Sequence, residues 1–239
     1  MKKAIFKNIT IISLALFLSL TFNLTCSAYE NNDEKVIYLT FDDGPGGKIT
    51  NKVLDILKEE NVTATFFVIG CQIKNQENII LRMKDEGHSI GLHSISHDRN
   101  KLYNGNQGFI DEMLKEQAIL QEITGEKHNI LRFPFGCNNN TYKLTDSLVN
   151  LIHENDLKIY DWTQDSGDGE NHNSSPNSIL KKSISKDDNI ILLMHSTYIN
   201  KTTAAALPSI IKHYKDEGYT FKKIDETTPE IYKVTNHSK

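Results

Sequence analysis

Apolar runs of four to six residues alternate along the chain with longer stretches in which apolar positions recur every three or four residues. These are the periods of strand and helix. The runs at 36–41, 64–69, 89–92, 130–133, 158–162 and 190–194, with a late one at 220–223, predict strands. The intervening 50–60, 75–86, 108–124, 140–154, 175–185 and 202–217 predict helices. Several of these open on Thr, Asn or Ser, whose side-chain oxygen can accept from a free N–H of the first turn. Strands and helices in strict alternation imply a parallel sheet with helices outside it, either open and doubly wound or curled into a barrel. The expected fold is α/β, a deformed (β/α) barrel of seven or so parallel strands with outer helices. No internal repeat interrupts the rhythm, and the Gly-, Asn-, Ser- and Asp-rich tract 166–176 predicts a loop.

The start of the chain breaks the pattern. Lys2, Lys3 and Lys7 precede a mostly apolar stretch ending in Cys26-Ser27-Ala28, the layout of a secretory signal peptide cleaved after Ala28. Its apolar core, 11–20, is too short to cross a bilayer and has no stop-transfer pattern after it. A lipoprotein reading of Cys26 fits less well, because Thr25 stands where a smaller residue normally precedes a lipidated cysteine. The expected organisation is a signal peptide over 1–28, a polar tail over 29–35 and one domain over 36–239, exported to the cell wall or medium without stable membrane insertion. The leader holds three of the 27 basic residues and none of the 31 acidic ones, so the exported chain carries 24 basic and 31 acidic residues, net −7. That balance excludes nucleic acid as an expected partner. Only Cys71 and Cys137 follow the leader, which excludes a disulfide scaffold or a multi-cysteine zinc knuckle but leaves one disulfide or two separate thiols open.

The polar residues with chemical potential fall at predicted strand ends. Asp42 and Asp43 close the first strand within Thr40-Phe41-Asp42-Asp43-Gly44-Pro45. Successive strand residues point to opposite faces, so the two carboxylates share a site only if the strand ends there, and Gly44-Pro45-Gly46-Gly47 supplies an ending. His93 and His97 follow the third strand, and on one helical turn their spacing would point both imidazoles at one metal ion. With one carboxylate they make a ligand set that leaves positions for water and substrate. Arg132, Asp165, Asp168 and His195 also sit at strand ends, the edge where parallel α/β folds place their sites. The remaining histidines are read as surface, loop or turn residues, and Tyr160 and Trp162 as core or cleft wall.

Together these motifs resemble the polysaccharide deacetylases, carbohydrate esterase family 4, whose catalytic unit is the NodB homology domain. The resemblance spans 36–221 and five motifs in the family's order. It implies Asp42 as general base and Asp43, His93 and His97 as metal ligands. Arg132-Phe133-Pro134-Phe135-Gly136 resembles the third motif, implying that Arg132 holds the base and the Phe135 amide helps bind the oxyanion. Asp165-Ser166-Gly167-Asp168 resembles the fourth, implying that Asp168 supports both Arg132 and the general acid. Leu192-Leu193-Met194-His195 resembles the fifth, with His195 as general acid and Leu193 lining the acetyl pocket. One divalent metal ion is implied, with zinc expected and cobalt, nickel or iron also suited to Asp plus two His.

The resemblance also implies a substrate. Hydrolysing an acetamide needs an activated water, a countercharge for the tetrahedral oxyanion and a proton for the leaving nitrogen, and those residues supply each. The expected activity removes N-acetyl groups from an amino-sugar polymer, with peptidoglycan N-acetylglucosamine as the leading substrate. Chitin oligosaccharides, O-acetylated xylan and a catalytically silent wall-binding module are the alternatives; a carboxylate-pair glycosidase would leave His93 and His97 unexplained. Three positions depart from the family pattern. Gly169 stands where an aromatic residue, usually tryptophan, is common; Ser196 where an acid is frequent; and Phe135 where tyrosine is frequent.

Overall fold

The computed structural model describes residues 34–235. The expected leader, most of the polar tail and His237 lie outside the described residues. Eight strands, all paired in parallel, alternate with helices: β1 Val36–Gly44, α1 Lys48–Glu59, β2 Thr65–Val68, α2 Glu77–Asp85, β3 Ser89–Leu92, α3 Arg99–Leu102, α4 Asn106–Thr124, β4 Ile130–Leu131, α5 Asp146–Glu154, β5 Lys158–Ile159, β6 Gln164–Asp165, α6 Pro176–Ser183, β7 Asn189–His195, α7 Lys201–Asp216 and β8 Thr220–Lys222.

The strand order is β5-β4-β3-β2-β1-β7-β6. β7 runs along one edge of β1 from Val36 to Asp42, so β8 and β2 share the other edge, at Val36–Tyr38 and Thr40–Gly44 respectively. The path curls until it begins and ends on one piece of chain. β5 stops at Ile159 and β6 starts at Gln164, so residues 160–163 bridge the two edges covalently with no ladder between them. The fold is the expected deformed barrel, with one strand more than the seven or so expected.

An alternation invisible in the apolar runs decides what faces inward. Along β1, Ile37, Leu39 and Phe41 pack outward against the helices, whereas Tyr38 joins Phe67, Ile191, Tyr160 and Trp162 in a separate small cluster inside the curl. Along β7, Ile190, Leu192 and Met194 face the helices and Ile191 faces in. Period two then carries Thr40 and Asp42, and Leu193 and His195, to the same inner face at the C-terminal end of the strands.

Several predicted boundaries shift for local reasons. The helix expected over 140–154 begins at Asp146, because Asn139 Oδ1 accepts the N–H groups of Thr141 and Tyr142 in a turn and Thr145 caps Leu148. Ser175 caps its helix as expected. Thr50 does not: it lies within α1, its hydroxyl accepting from Gly46 N–H and donating to the Ser196 carbonyl, both at 2.7 Å. β4 and β5 are two residues each and shorter than expected, and β6 was not expected at all, since Gln164-Asp165 has no apolar signal. Cys71 and Cys137 are both free thiols.

Candidate active site

The strand ends converge as the register requires. Asp42 pairs with His195 across β1 and β7, and Asp165 with Leu193 across β6 and β7. On the other side, Leu92 pairs with Leu131, which brings the following residues, His93 and Arg132, to the same level. A cleft of about 440 Å³ opens there, its wall including Asp42, Asp43, His93, His97, Phe135, Leu193 and His195.

Asp43 reaches this cleft by a backbone reversal. Its φ is 65°, and the β1–β2 register slips between Asp42 and Gly44, so adjacent residues present their carboxylates to one space. The turn is made by the aspartate itself, one residue before the glycines. His93 and His97 likewise converge without the expected helical turn: Ser94 and His97 adopt φ of 74° and 54° in a tight loop. The Nε2 atoms of both histidines lie 3.3 Å from Asp43 Oδ1, which is buried and has no hydrogen-bond partner among the described residues.

His93 Nδ1 lies 2.9 Å from the Arg132 carbonyl oxygen, which can only accept, so Nδ1 carries the proton and Nε2 faces Asp43. One donor atom from each of Asp43, His93 and His97 falls within 4.8 Å of the others. A buried carboxylate oxygen without a donor, facing two imidazole nitrogens, fits a divalent cation. Burial opposes charge on Asp43, but His93 and His97 outweigh it and hold the carboxyl well below the usual range. Burial also depresses His93, yet Asp42 and Asp43 turn the net shift upward. In His97 burial, helped by the charge of His93, wins and lowers the imidazole to about 4.

Arg132 is fully buried rather than a surface arginine, and its guanidinium is spent on four acceptors. Nη1 donates to Asp42 Oδ1 at 2.8 Å and Thr40 Oγ1 at 2.7 Å, Nε to the Tyr160 carbonyl at 2.9 Å, and Nη2 to the Asp161 carbonyl at 3.1 Å. The group lies over the Phe67 ring, on the inner apolar cluster. Asp42 Oδ2 is 3.8 Å from His93 Nε2. Asp168 makes no ion pair or hydrogen bond to Arg132 among the described residues, in contrast with the double role expected for it.

Asp168 faces His195 instead. Fully buried, its Oδ1 accepts from His195 Nδ1 at 2.8 Å and Ser166 Oγ at 3.0 Å. Its Oδ2 accepts from the His195 N–H at 2.9 Å, Thr203 Oγ1 at 2.7 Å and Asn200 Nδ2 at 3.4 Å. Burial works against a charged His195, but the Asp168 hydrogen bond and charge prevail and raise it to about 9. Gly169 follows directly, and a Cβ there would stand 2.5 Å from His195 Cε1, so the imidazole occupies space that any side chain would contest.

The rim holds residues that the sequence did not single out for it. His172, Glu170, Ile199 and Asn200 line the cleft beside Trp162. Phe135 has φ of 66° and is 37% exposed; its ring is 4.5 Å from that of His97, and the Arg99 guanidinium lies 3.8 Å from its centre. Of the seven non-glycine residues with positive φ among the described residues, Asp43, His97 and Phe135 border this cleft, as backbone strain tends to gather at functional sites.

Residues 29–152 match the sequence profile of the family described as polysaccharide deacetylase. The chain belongs to the polysaccharide deacetylase family. It is 34% identical over 207 residues to the peptidoglycan-N-acetylglucosamine deacetylase of Bacillus cereus, covering 84% of this chain and 73% of that one. It is 36% identical to the peptidoglycan-N-acetylmuramic acid deacetylase PdaA of Bacillus subtilis, covering 82% and 72%. Among solved structures, the catalytic domain of a peptidoglycan N-acetylglucosamine deacetylase from Eubacterium rectale superposes with a TM-score of 0.78 at 32% identity, covering 86% of this chain and 96% of that one. In this polysaccharide deacetylase the strands β5 to β8 lie beyond the profile match.

Proposed function

We propose that this polysaccharide deacetylase is a metal-dependent, exported enzyme that removes N-acetyl groups from peptidoglycan N-acetylglucosamine. The observation that carries the reading is the facing pair Asp42 and His195, joined by strand register, each anchored by its own buried partner, with the Asp43, His93 and His97 donors beside them. A divalent cation held by these three residues would lower the pKa of a water and polarise the acetyl carbonyl. Asp42, held in one orientation by Arg132, takes the water proton through the oxygen that Arg132 leaves free. The Phe135 N–H, at a residue with φ of 66° on the cleft wall, is the amide assigned to the oxyanion. His195, charged below about pH 9 through Asp168, donates the proton that lets the amine leave. Leu193 and Trp162 give the acetyl methyl an apolar wall.

The complete set of five residues weighs against a silent wall-binding module, which has no need of a charged His195. The substrates of the relatives, N-acetylglucosamine and N-acetylmuramic acid of peptidoglycan, favour that polymer over xylan or chitin. The test is acetate release and mass spectrometry of products from muropeptides and N-acetylglucosamine oligomers, with zinc or cobalt added and after chelation. The expected result is a 42 Da loss per deacetylated residue that stops on chelation and returns with metal. Activity that survives complete metal removal and Asp42→Asn overturns the reading.

A further inference from the structure

The loop 93–97 holds two non-glycine residues in the left-handed region, a conformation that side chains with a Cβ rarely adopt and that needs outside support. Beneath it, helix α4 turns two acids inward, one turn apart, on the face that also buries Phe109, Met113 and Leu120. Glu116 is fully buried; its Oε2 accepts the His93 N–H at 2.9 Å, a proton shared with the Val68 carbonyl at 3.0 Å. Glu112 Oε2 accepts from the Ser96 N–H at 3.0 Å and its hydroxyl at 2.5 Å, and the Glu112 carbonyl accepts the Ile95 N–H. The loop then braces itself, the His97 N–H donating to Ser94 Oγ and the Asp98 N–H to Ser96 Oγ.

Glu116 is a costly residue for this place. Among the described residues no basic side chain pairs with it; its carboxyl accepts a backbone amide and lies near the like charge of Glu112. Its Oε1 is buried without a hydrogen-bond partner among the described residues. A leucine would fill the same helix face without desolvating a carboxyl. We propose that Glu116, with Glu112 one turn earlier, is a positioning residue that holds the 93–97 loop in the bend from which His93 and His97 converge on Asp43. The proposal rests on the reading of Asp43, His93 and His97 as a metal site. Glu116 acts through the backbone and touches no cation: it fixes where the His93 amide lies, and the Nδ1 bond to the Arg132 carbonyl then fixes the ring.

The test is zinc titration of the full chain by calorimetry, with unfolding of the metal-free protein followed in parallel. Glu116→Leu is expected to weaken zinc binding by about ten- to a hundredfold, the usual effect of removing a group that orients a ligand, while the metal-free protein unfolds at the same or a higher temperature. Glu116→Gln keeps an acceptor oxygen and is expected to restore most of the affinity. Zinc binding by Glu116→Leu within twofold of wild type overturns the proposal, as does a loss that Gln fails to recover. Should Glu116→Leu not fold, Glu112→Ala decides: it frees Ser96, and unchanged zinc affinity there counts against the proposal. Asp43→Asn identifies the titrated site, and a wild type with no zinc affinity refutes the triad reading itself, whatever the Glu116 variants do.

Discussion

Two buried aspartates face each other across the cleft with opposite surroundings. Asp42 has one oxygen on a permanent cation, while the other has no hydrogen-bond donor among the described residues and faces His93. Asp168 has both oxygens saturated by five donors from His195, Ser166, Asn200 and Thr203. The same functional group is thus left open to exchange a proton in one place and closed in the other, where it can act only by charging the imidazole beside it. Position on a strand end does not distinguish them; the count of donors does.

The sharpest way to break this contrast is at the open oxygen. Asp42→Asn is expected to lower kcat by about 10²- to 10⁴-fold, the range of general acid–base catalysis, with zinc affinity retained in calorimetry; Asp43→Asn is expected to reverse the pattern by losing zinc. Equal loss of zinc in both variants would mean that the two neighbours do not divide the work.

The next effect lies in the anchor. Arg132→Met leaves Asp42 buried without its countercharge and is expected to cost about 3–5 kcal/mol of stability, measured by urea unfolding. A smaller loss would mean that water reaches Asp42.

At the closed carboxylate, Asp168→Asn is expected to drop His195 from about 9 toward its ordinary 6.5, read by NMR titration of the metal-free protein. Because the folded value lies above the unfolded one, the Asp168–His195 pair stabilises the fold fully below pH 6.5 and ceases to do so as pH rises through about 9. That slope in stability should vanish in the variant, and the rate at pH 8 should fall by about a hundredfold, the low end of acid–base effects.

The ring of strand ends was legible because apolar runs in a βαβ rhythm put Asp42, His93, Arg132 and His195 at one edge whatever the exact boundaries. How neighbours share a site was not. Asp43 and His97 depend on left-handed backbone at non-glycine residues, for which sequence carries little signal. The expected helical turn for the histidine pair was the wrong local geometry for a correct convergence. β6 escaped notice because two polar residues in a loop-rich tract show no periodicity. Glu112 and Glu116 did leave a trace: acids at helical spacing within a stripe containing Phe109, Met113 and Leu120 are out of place on a buried face.

Arg132 donates to the carbonyls of Tyr160 and Asp161, within the short span that joins β5 to β6 where the barrel wall has no ladder. The residue that orients Asp42 is therefore also the rivet at the seam between β5 and β6. Any loosening of that seam would be felt first as misalignment of Asp42, and Tyr160 and Asp161, whose carbonyls Arg132 holds, would score in a mutational survey through the rate although neither lines the cleft.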